Sequence, residues 1–276
     1  MAGIYIHIPF CAQACYYCDF HFSTSLKLKK RVVSAMKKEI VQQKKYLDDF
    51  VIKTIYFGGG TPSLIASSII QDIYKTIQYN FTLSDYVELT IEANPEDITE
   101  SLVSSWEKIG INRVSLGVQA FKDKYLRYMN RVHTSSQSLY ALDLLKKSKI
   151  KNLSIDLIYG FPNLSDFEWE DSLDMILQFD PQHISCYSLT VEKKTPLFHF
   201  IKKGTYSKLN PDQANRQFLI ARKKLRQSGY IHYEISNFAK DGYFSIHNTN
   251  YWNKTHYLGI GPSAHSFNGR TRQWNI

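Results

Sequence analysis

Three of the four cysteines in this chain, Cys11, Cys15 and Cys18, stand in one eight-residue stretch with C-x3-C-x2-C spacing. Three thiolates on one short loop can converge on a single metal centre, but they leave it one ligand short. A structural zinc site uses four protein ligands, whereas a cubane iron–sulfur cluster held by three cysteines keeps one iron open for an outside ligand. We therefore predict a [4Fe–4S] cluster on this loop.

Two other chemistries compete for the same cysteines. His7 or His21 as a fourth ligand would complete a closed zinc site, which leaves open a zinc-containing basic protein that binds nucleic acid. A disulfide is disfavoured, because three close cysteines form an odd set and nothing marks the chain as secreted. The remaining cysteine, Cys186, lies in an apolar segment, where a packed thiol is the expected state.

Single polar residues also occur at or near the ends of several otherwise apolar segments that we predict to be strands. In parallel β/α folds, the chemistry lies at the carboxyl ends of the strands. A polar group on a buried strand needs a partner, and one bound ligand would satisfy several such groups at once. The alternative is that each group contacts a neighbouring loop. The residues are Tyr5, Glu92, Gln119 and Asp156, together with the glycines 58–60.

Six strand-then-helix units follow one another along the first two thirds of the chain. The spacing of the strands allows right-handed crossovers and a parallel sheet. Six units do not complete an eight-fold barrel, so we predict an α/β fold built as an open, partial (β/α)6 barrel over residues 1–191. The predicted strands are residues 4–8, 54–57, 87–92, 113–119, 153–159 and 183–189.

The pattern changes after residue 191, and we predict a small α+β extension over residues 192–276. A helix over 211–229 and a strand over 230–235 precede two unusual segments, HNTNYW at 247–252 and GIGPSAH at 259–265. The last residues are rich in Gly, Arg and Asn and show no closing element.

The sequence YIHIPF at residues 5–10, followed by the cysteines and Asp19-Phe20, resembles the radical S-adenosylmethionine (SAM) superfamily. Within it, the chain is similar to the oxygen-independent coproporphyrinogen III oxidase family, and most of all to its HemW-type heme-chaperone branch. The resemblance runs from about Gly3 to the last residue. Because family members continue into a further C-terminal domain, we expect that domain to be missing beyond residue 276.

The resemblance implies a [4Fe–4S] cluster on Cys11, Cys15 and Cys18, with SAM bound at the open iron. The implied chemistry is reductive cleavage of SAM, for which an electron donor must reduce the cluster; whether this activity is used stays open. Glycines suit the close approach of backbone to a ligand and would expose N–H groups to the SAM carboxylate. The residues that match SAM contacts of the family are Tyr5, Tyr17, Gly59, Gly60, Thr61, Glu92, Gln119, Arg131 and Asp156.

Two features separate the oxidase from the chaperone. The oxidases carry a further cysteine where this chain has Phe20, and they have a long extension before the motif, where this chain has ten residues. His247 begins HNTNYW, which matches the HNxxYW motif of the chaperone branch. An imidazole can ligate heme iron, and Tyr and Trp offer flat surfaces to a porphyrin. We predict that His247 binds heme and that the heme passes to an acceptor protein. The alternative for His247 is a packed histidine with hydrogen-bond partners. The alternative for the whole chain is a coproporphyrinogen III oxidase.

Composition and charge bear on the partners and the cellular location of the protein. The formal net charge is +9 and the pI is about 9.2, which suits anionic ligands and an acidic membrane surface. We predict no nucleic-acid partner and include peripheral membrane association as an expectation. The sequence shows no apolar run of membrane-spanning length and no signal-peptide layout. Exposed cysteines and an oxygen-sensitive cluster point to a reducing cytoplasm.

Overall fold

A computed structural model describes residues 1–47 and 50–276, and its strands form one 11-stranded sheet. The strands are β1 (Ala2–Ile8), β2 (Ile52–Gly59), β3 (Leu83–Ala93), β4 (Arg113–Gln119), β5 (Asn152–Tyr159), β6 (His183–Ser188), β7 (Ile231–His232), β8 (Asn237–Ala239), β9 (His256–Ile260), β10 (His265–Phe267) and β11 (Arg272–Trp274). Their order across the sheet is β11-β10-β9-β1-β2-β3-β4-β5-β6-β8-β7.

Helices connect most pairs of successive strands. They are α1 (Lys29–Gln42), α2 (Ser67–Asn80), α3 (Glu100–Ile109), α4 (Asp123–Tyr128), α5 (Ser135–Lys147), α6 (Asp166–Phe179), α7 (Pro196–Lys202), α8 (Pro211–Gln227) and α9 (Ile246–Trp252). Within the described residues, none of these helices is both long and apolar enough to cross a membrane.

The parallel arrangement of β1 to β6 confirms the predicted α/β fold and its open, partial barrel. Each of these strands pairs in parallel with the next one along the chain. The sheet does not close on itself: β9 pairs in parallel with β1 at one edge, and β8 pairs antiparallel with β6 at the other. The site therefore lies on a concave sheet with an open side.

The two faces of the barrel strands differ in chemistry. In β1, the side chains of Ile4, Ile6 and Ile8 are buried in the main apolar cluster, to which the α2 residues Ile70 and Ile73 also belong. The alternate residues point to the concave face, because neighbouring strand residues face opposite sides of a sheet. That face carries polar groups on every central strand, including Thr54 and Tyr56 of β2, Glu88, Thr90 and Glu92 of β3, Arg113 and Ser115 of β4 and Asp156 of β5.

Residues after 191 differ most from the prediction. The predicted strand at 230–235 is limited to β7, and the chain turns there into the antiparallel β8. HNTNYW lies in helix α9, and GIGPSAH leads from β9 into β10. The expected absence of a closing element is wrong, because β10 and β11 form an antiparallel pair. The domain boundary at residue 191 stays a prediction; the strands on both sides of it share one sheet.

Helix α9 lies inside the barrel beside the amino-terminal half of β2. The Glu88 carboxylate accepts hydrogen bonds from the backbone N–H groups of Ile246 at 3.0 Å and His247 at 2.9 Å. These are among the N–H groups that a helix leaves without internal partners at its first turn. Glu88 is only 2% exposed, so it anchors the start of α9 from within the sheet.

We predict that Glu88→Ala will lower the free energy of unfolding by about 3 kcal/mol, since two buried N–H groups lose their acceptor. Urea denaturation of purified protein measures this change. The matched control is Asp85→Ala, on the same strand but exposed, which should shift stability by less than about 0.5 kcal/mol. Equal stability of the two variants would show that Glu88 does not anchor α9.

Candidate functional site

The cysteine loop follows the carboxyl end of β1, at the mouth of the barrel. Cys11, Cys15 and Cys18 are free thiols and partly exposed. The Cys11 N–H donates to the Ser23 carbonyl at 3.1 Å, and the Cys18 N–H donates to the Cys15 carbonyl at 3.3 Å. The loop thus presents three accessible thiols from one compact turn, which fits the predicted cluster.

The Cys18 thiol is protonated at neutral pH before any metal binds. Burial raises the pKa of Cys18 to about 11, with the nearby Cys15 and Cys11 adding to the rise. A bound metal takes the place of the thiol proton, so iron would convert these groups to thiolates. In residues 1–47 and 50–276, no three His, Cys, Asp or Glu side chains are gathered around one single-ion position. A cubane would place the three thiolates on three different irons, so it would not need all three around a single ion.

The glycine-rich segment after β2 packs directly against this loop. The Gly60 N–H donates to the Ile8 carbonyl, and the Thr61 N–H donates to the Phe10 carbonyl, both at 2.7 Å. A Cβ atom on Gly60 would lie 2.7 Å from the Phe10 oxygen, so a side chain there would push the loop away. The Gly59 N–H donates to Glu92. The expectation that these N–H groups face a ligand carboxylate is therefore wrong: they already have protein acceptors.

Two carboxylates face the concave side from β3 and β5, with β4 between them. Glu92 accepts hydrogen bonds from the Tyr56 hydroxyl at 2.8 Å and from the Gly59 N–H at 3.0 Å. Asp156 accepts from the Ser115 hydroxyl at 3.0 Å. Burial raises the pKa of Glu92 to about 7 and also raises the pKa of Asp156. When ionised, both side chains can accept hydrogen bonds from ligand hydroxyls.

Arg131 connects these strands to the cysteine loop. Its Nη2 donates to the Asn94 side-chain oxygen at 2.6 Å and to the Gly117 carbonyl at 3.2 Å. Its Nη1 lies 3.5 Å from the Cys15 sulfur. The buried Nε has no hydrogen-bond partner among the described residues. The contact of Arg131 with the carboxylate of SAM stays a prediction.

Three other predicted SAM contacts lie at the same end of the barrel. Gln119 ends β4 with φ of 64°, next to a register shift between β4 and β5 that redirects its side chain. Tyr17 lies between Cys15 and Cys18 and packs, half-buried, against the core. Tyr5 is on β1, where its hydroxyl is 3.1 Å from the Nδ1 atom of His7.

His7 has partners at both ring nitrogens. Its Nε2 donates to the His21 carbonyl at 2.8 Å, since a carbonyl can only accept. Its Nδ1 then accepts from the Tyr5 hydroxyl. His7 therefore offers no free nitrogen to a metal in this arrangement, which removes one of the two fourth ligands considered for zinc.

Sequence reasoning missed two residues that organise this end of the barrel. The Asn94 side-chain oxygen accepts from Arg131, and the Asn94 backbone N–H donates to the Ser63 hydroxyl oxygen at 3.1 Å. Tyr56 hydrogen-bonds Glu92 from β2. Asn94 had a signal, because it stands in an Asn-Pro pair directly after a strand. For Tyr56 the sequence offered no signal of a functional role beyond its alternation with the apolar residues Ile55 and Phe57.

His247 lies at the opposite end of the concave face and is 2% exposed. Its Nδ1 is 2.8 Å from the Thr54 hydroxyl, and its Nε2 is 3.0 Å from the Tyr251 hydroxyl. Its ring stacks on Tyr56 with centroids 5.1 Å apart. Burial lowers the pKa of His247 to about 3, so the ring is neutral. Its role as a heme ligand stays a prediction, and Tyr251 occupies the nitrogen that iron would use.

A family profile and two curated relatives point to the same family. A sequence profile described as "Radical SAM superfamily" matches residues 5–176. The heme chaperone HemW of Buchnera aphidicola subsp. Schizaphis graminum is 38% identical over 95% of this chain and 69% of its own length. The heme chaperone HemW of Bacillus subtilis is 34% identical over 100% of this chain and 73% of its own length.

Among solved structures, coproporphyrinogen III oxidase (HemN) from Escherichia coli superposes with a TM-score of 0.85. The alignment covers 99% of this chain and 66% of the oxidase, with 24% sequence identity. At this identity the likeness carries the fold, and it supports the partial barrel described above.

We predict that SAM affinity will fall as the pH drops below about 7, because protonation of Glu92 removes its charge as an acceptor. The loss should approach about tenfold for each further pH unit. Equilibrium dialysis of SAM with anaerobically reconstituted protein, from about pH 8 to about pH 5, measures it. Glu92→Gln should bind more weakly and with a flat profile in this range. Parallel profiles for both proteins would mean that another group titrates.

The two HemW relatives are 38% and 34% identical to this chain, which is enough to assign a family, whereas the oxidase structure is 24% identical. They extend over nearly all of this chain and include the region of HNxxYW. Phe20 at the position of the oxidase cysteine agrees with them. The chain belongs to the radical SAM superfamily and, within it, to the HemW heme-chaperone family.

Proposed function

We propose that this chain is a heme chaperone, which binds heme and passes it to an acceptor protein. The observation that carries the proposal is its 34–38% identity, over 95–100% of the chain, to proteins named heme chaperones. Superfamily membership gives the cysteine loop its cofactors, a [4Fe–4S] cluster and SAM. When bound, they would supply reductive cleavage of SAM; Cys11, Cys15 and Cys18 would hold the cluster, and the residues predicted to contact SAM would orient it.

The oxidase alternative has less support. Its main argument is the fold shared with HemN, which many chemistries use. At the position of the additional oxidase cysteine, Phe20 is 72% exposed and offers no thiol. Turnover of coproporphyrinogen III by the reconstituted protein would restore this alternative.

Helix α9 offers the surface that we propose for heme. Tyr251 and Trp252 are 41% and 59% exposed and present flat aromatic faces next to His247. Because the Tyr251 hydroxyl contacts the Nε2 atom of His247, iron can bind there only if that hydroxyl leaves. Tyr251 is partly exposed, so its hydroxyl can find water when it moves.

The remaining partners are also proposals. We infer a protein that donates electrons to the cluster, and a cytoplasmic location where the thiols stay reduced. A surface groove of about 770 Å³ between α1 and α2 is lined by Val33, Val41 and Ile69 as well as by lysines, of which Lys37 pairs with Asp72. We propose this groove as a surface for a partner protein. Peripheral membrane association stays a prediction that rests on the net charge of +9.

The test is an absorbance titration of heme into anaerobically reconstituted protein, beside His247→Ala and Tyr251→Phe. We expect saturable one-to-one binding by the parent protein and its loss in His247→Ala. Tyr251→Phe frees the Nε2 atom of His247, so it should bind heme about threefold to tenfold more tightly, the equivalent of one hydrogen bond. His265→Ala is the control, because its exposed imidazole is also able to bind iron nonspecifically.

Two results would contradict these proposals separately. Absence of saturable heme binding by the parent protein would overturn the chaperone function. Equal affinity of the parent, His247→Ala and Tyr251→Phe would overturn the assignment of His247 and move the ligand elsewhere. Urea denaturation of each variant shows whether loss of binding follows from loss of folding.

A further inference from the structure

The turn that follows α4 lies directly against the cysteine loop. The Met129 carbonyl accepts a hydrogen bond from the Tyr16 N–H at 3.0 Å. The Asn130 side-chain amide donates to the Ala14 carbonyl at 2.8 Å, and the Gln13 side-chain amide donates to the Asn130 carbonyl at 2.9 Å. Three hydrogen bonds therefore join two short segments that are more than 100 residues apart in sequence.

Asn130 is suited to this turn in both backbone and side chain. Its φ is 60°, a left-handed conformation that Asn adopts more readily than most residues. This conformation places its carbonyl and its side-chain amide toward the same loop, where each makes one contact. Arg131, next in sequence, brings its Nη1 to 3.5 Å from the Cys15 sulfur. Asn130 thus contacts the two residues that precede Cys15 in the sequence, and Arg131 contacts Cys15 itself.

The far side of the loop is held by α7. The Leu197 N–H donates to the Tyr16 carbonyl at 2.9 Å, and the Tyr16 ring packs edge-on against Phe200 with centroids 5.0 Å apart. Residues 13–16 are therefore fixed from two directions. On the opposite side, the loop is held by the Asn130 and Gln13 side-chain amides and by the Met129 carbonyl, so removal of the Asn130 amide loosens the loop without opening the apolar side.

We propose that Asn130 is a positioning residue, which holds the cysteine loop in the conformation that receives the cluster. A loop that is ordered in advance loses less conformational entropy when it binds, and it opens less often afterwards. Because Asn130 acts through the loop, the proposal rests on the radical SAM site of the proposed function and not on heme transfer.

The test compares Asn130→Gly with Asn163→Gly. Glycine keeps the left-handed backbone and removes only the side-chain amide. Asn163 has φ of 66° and is exposed on a different loop, so it controls for the change of backbone freedom. The readouts are the rate of iron loss to a chelator from reconstituted protein and the rate at which a thiol reagent modifies each cysteine of the metal-free protein.

We expect Asn130→Gly to lose iron about fivefold faster than the parent, as loss of one part-buried hydrogen bond implies. In the metal-free protein, Cys11, Cys15 and Cys18 should react faster, while the buried Cys186 stays unreactive. Gln13→Ala, a change at an exposed residue, should increase both rates in the same direction by a smaller factor.

Unchanged rates in both Asn130→Gly and Gln13→Ala would overturn the proposal. An equal acceleration in Asn163→Gly would also overturn it, since backbone freedom alone would then explain the effect. Faster modification of Cys186 would indicate general unfolding, and Gln13→Ala then decides whether the loop contact matters. The metal-free thiol readout involves neither heme nor SAM, so it separates this proposal from the chaperone function.

Discussion

The site depends on one close backbone contact, in which the segment at residues 59–61 lies against residues 8–10. Two N–H groups of this segment donate to carbonyls of the chain that enters the cysteine loop, and both bonds are 2.7 Å long. Gly60 makes the approach feasible, because a Cβ atom there would meet backbone that cannot move independently. The contact fixes the start of the loop relative to β2, and through Gly59 it also fixes Glu92. The position of the three thiols relative to the carboxylates follows from this arrangement.

A chain of polar contacts connects the barrel mouth with its opposite end. Tyr56 hydrogen-bonds Glu92 at the mouth and stacks on His247 near α9, so one side chain touches both predicted ligand regions. Burial raises the pKa of Glu92 and of Asp156, and the buried positive charge of Arg113 limits that rise. Charges in such an interior interact more strongly than in water. The ionisation of Glu92 therefore acts most directly on Tyr56, which donates a hydrogen bond to it.

The sequence predicted those features that are encoded locally. The predicted strand over 113–119 agrees with the bounds of β4, because its apolar residues lie next to each other in the chain. The cysteine loop and the carboxylates of β3 and β5 were found for the same reason. Strand β9 was missed, since its pairing with β1 joins residues some 250 positions apart and its five residues carry no local signal. The protein acceptors of the Gly60 and Thr61 N–H groups were also not predictable, because they depend on that three-dimensional contact.

The buried position of His247 is compatible with a packed histidine and with a heme ligand. The hydroxyls of Thr54 and Tyr251, which contact its two ring nitrogens, explain why. A packed histidine needs partners at both nitrogens, and Thr54 and Tyr251 provide them. A metal-binding histidine needs a neutral ring whose other nitrogen is held by a neighbour. Burial gives the neutral ring, and Thr54, which is fully buried, is able to hold Nδ1. Tyr251 is the partner on the exposed side, so the proposed binding of heme by His247 requires the Tyr251 hydroxyl to leave Nε2, while Thr54 keeps its contact with Nδ1.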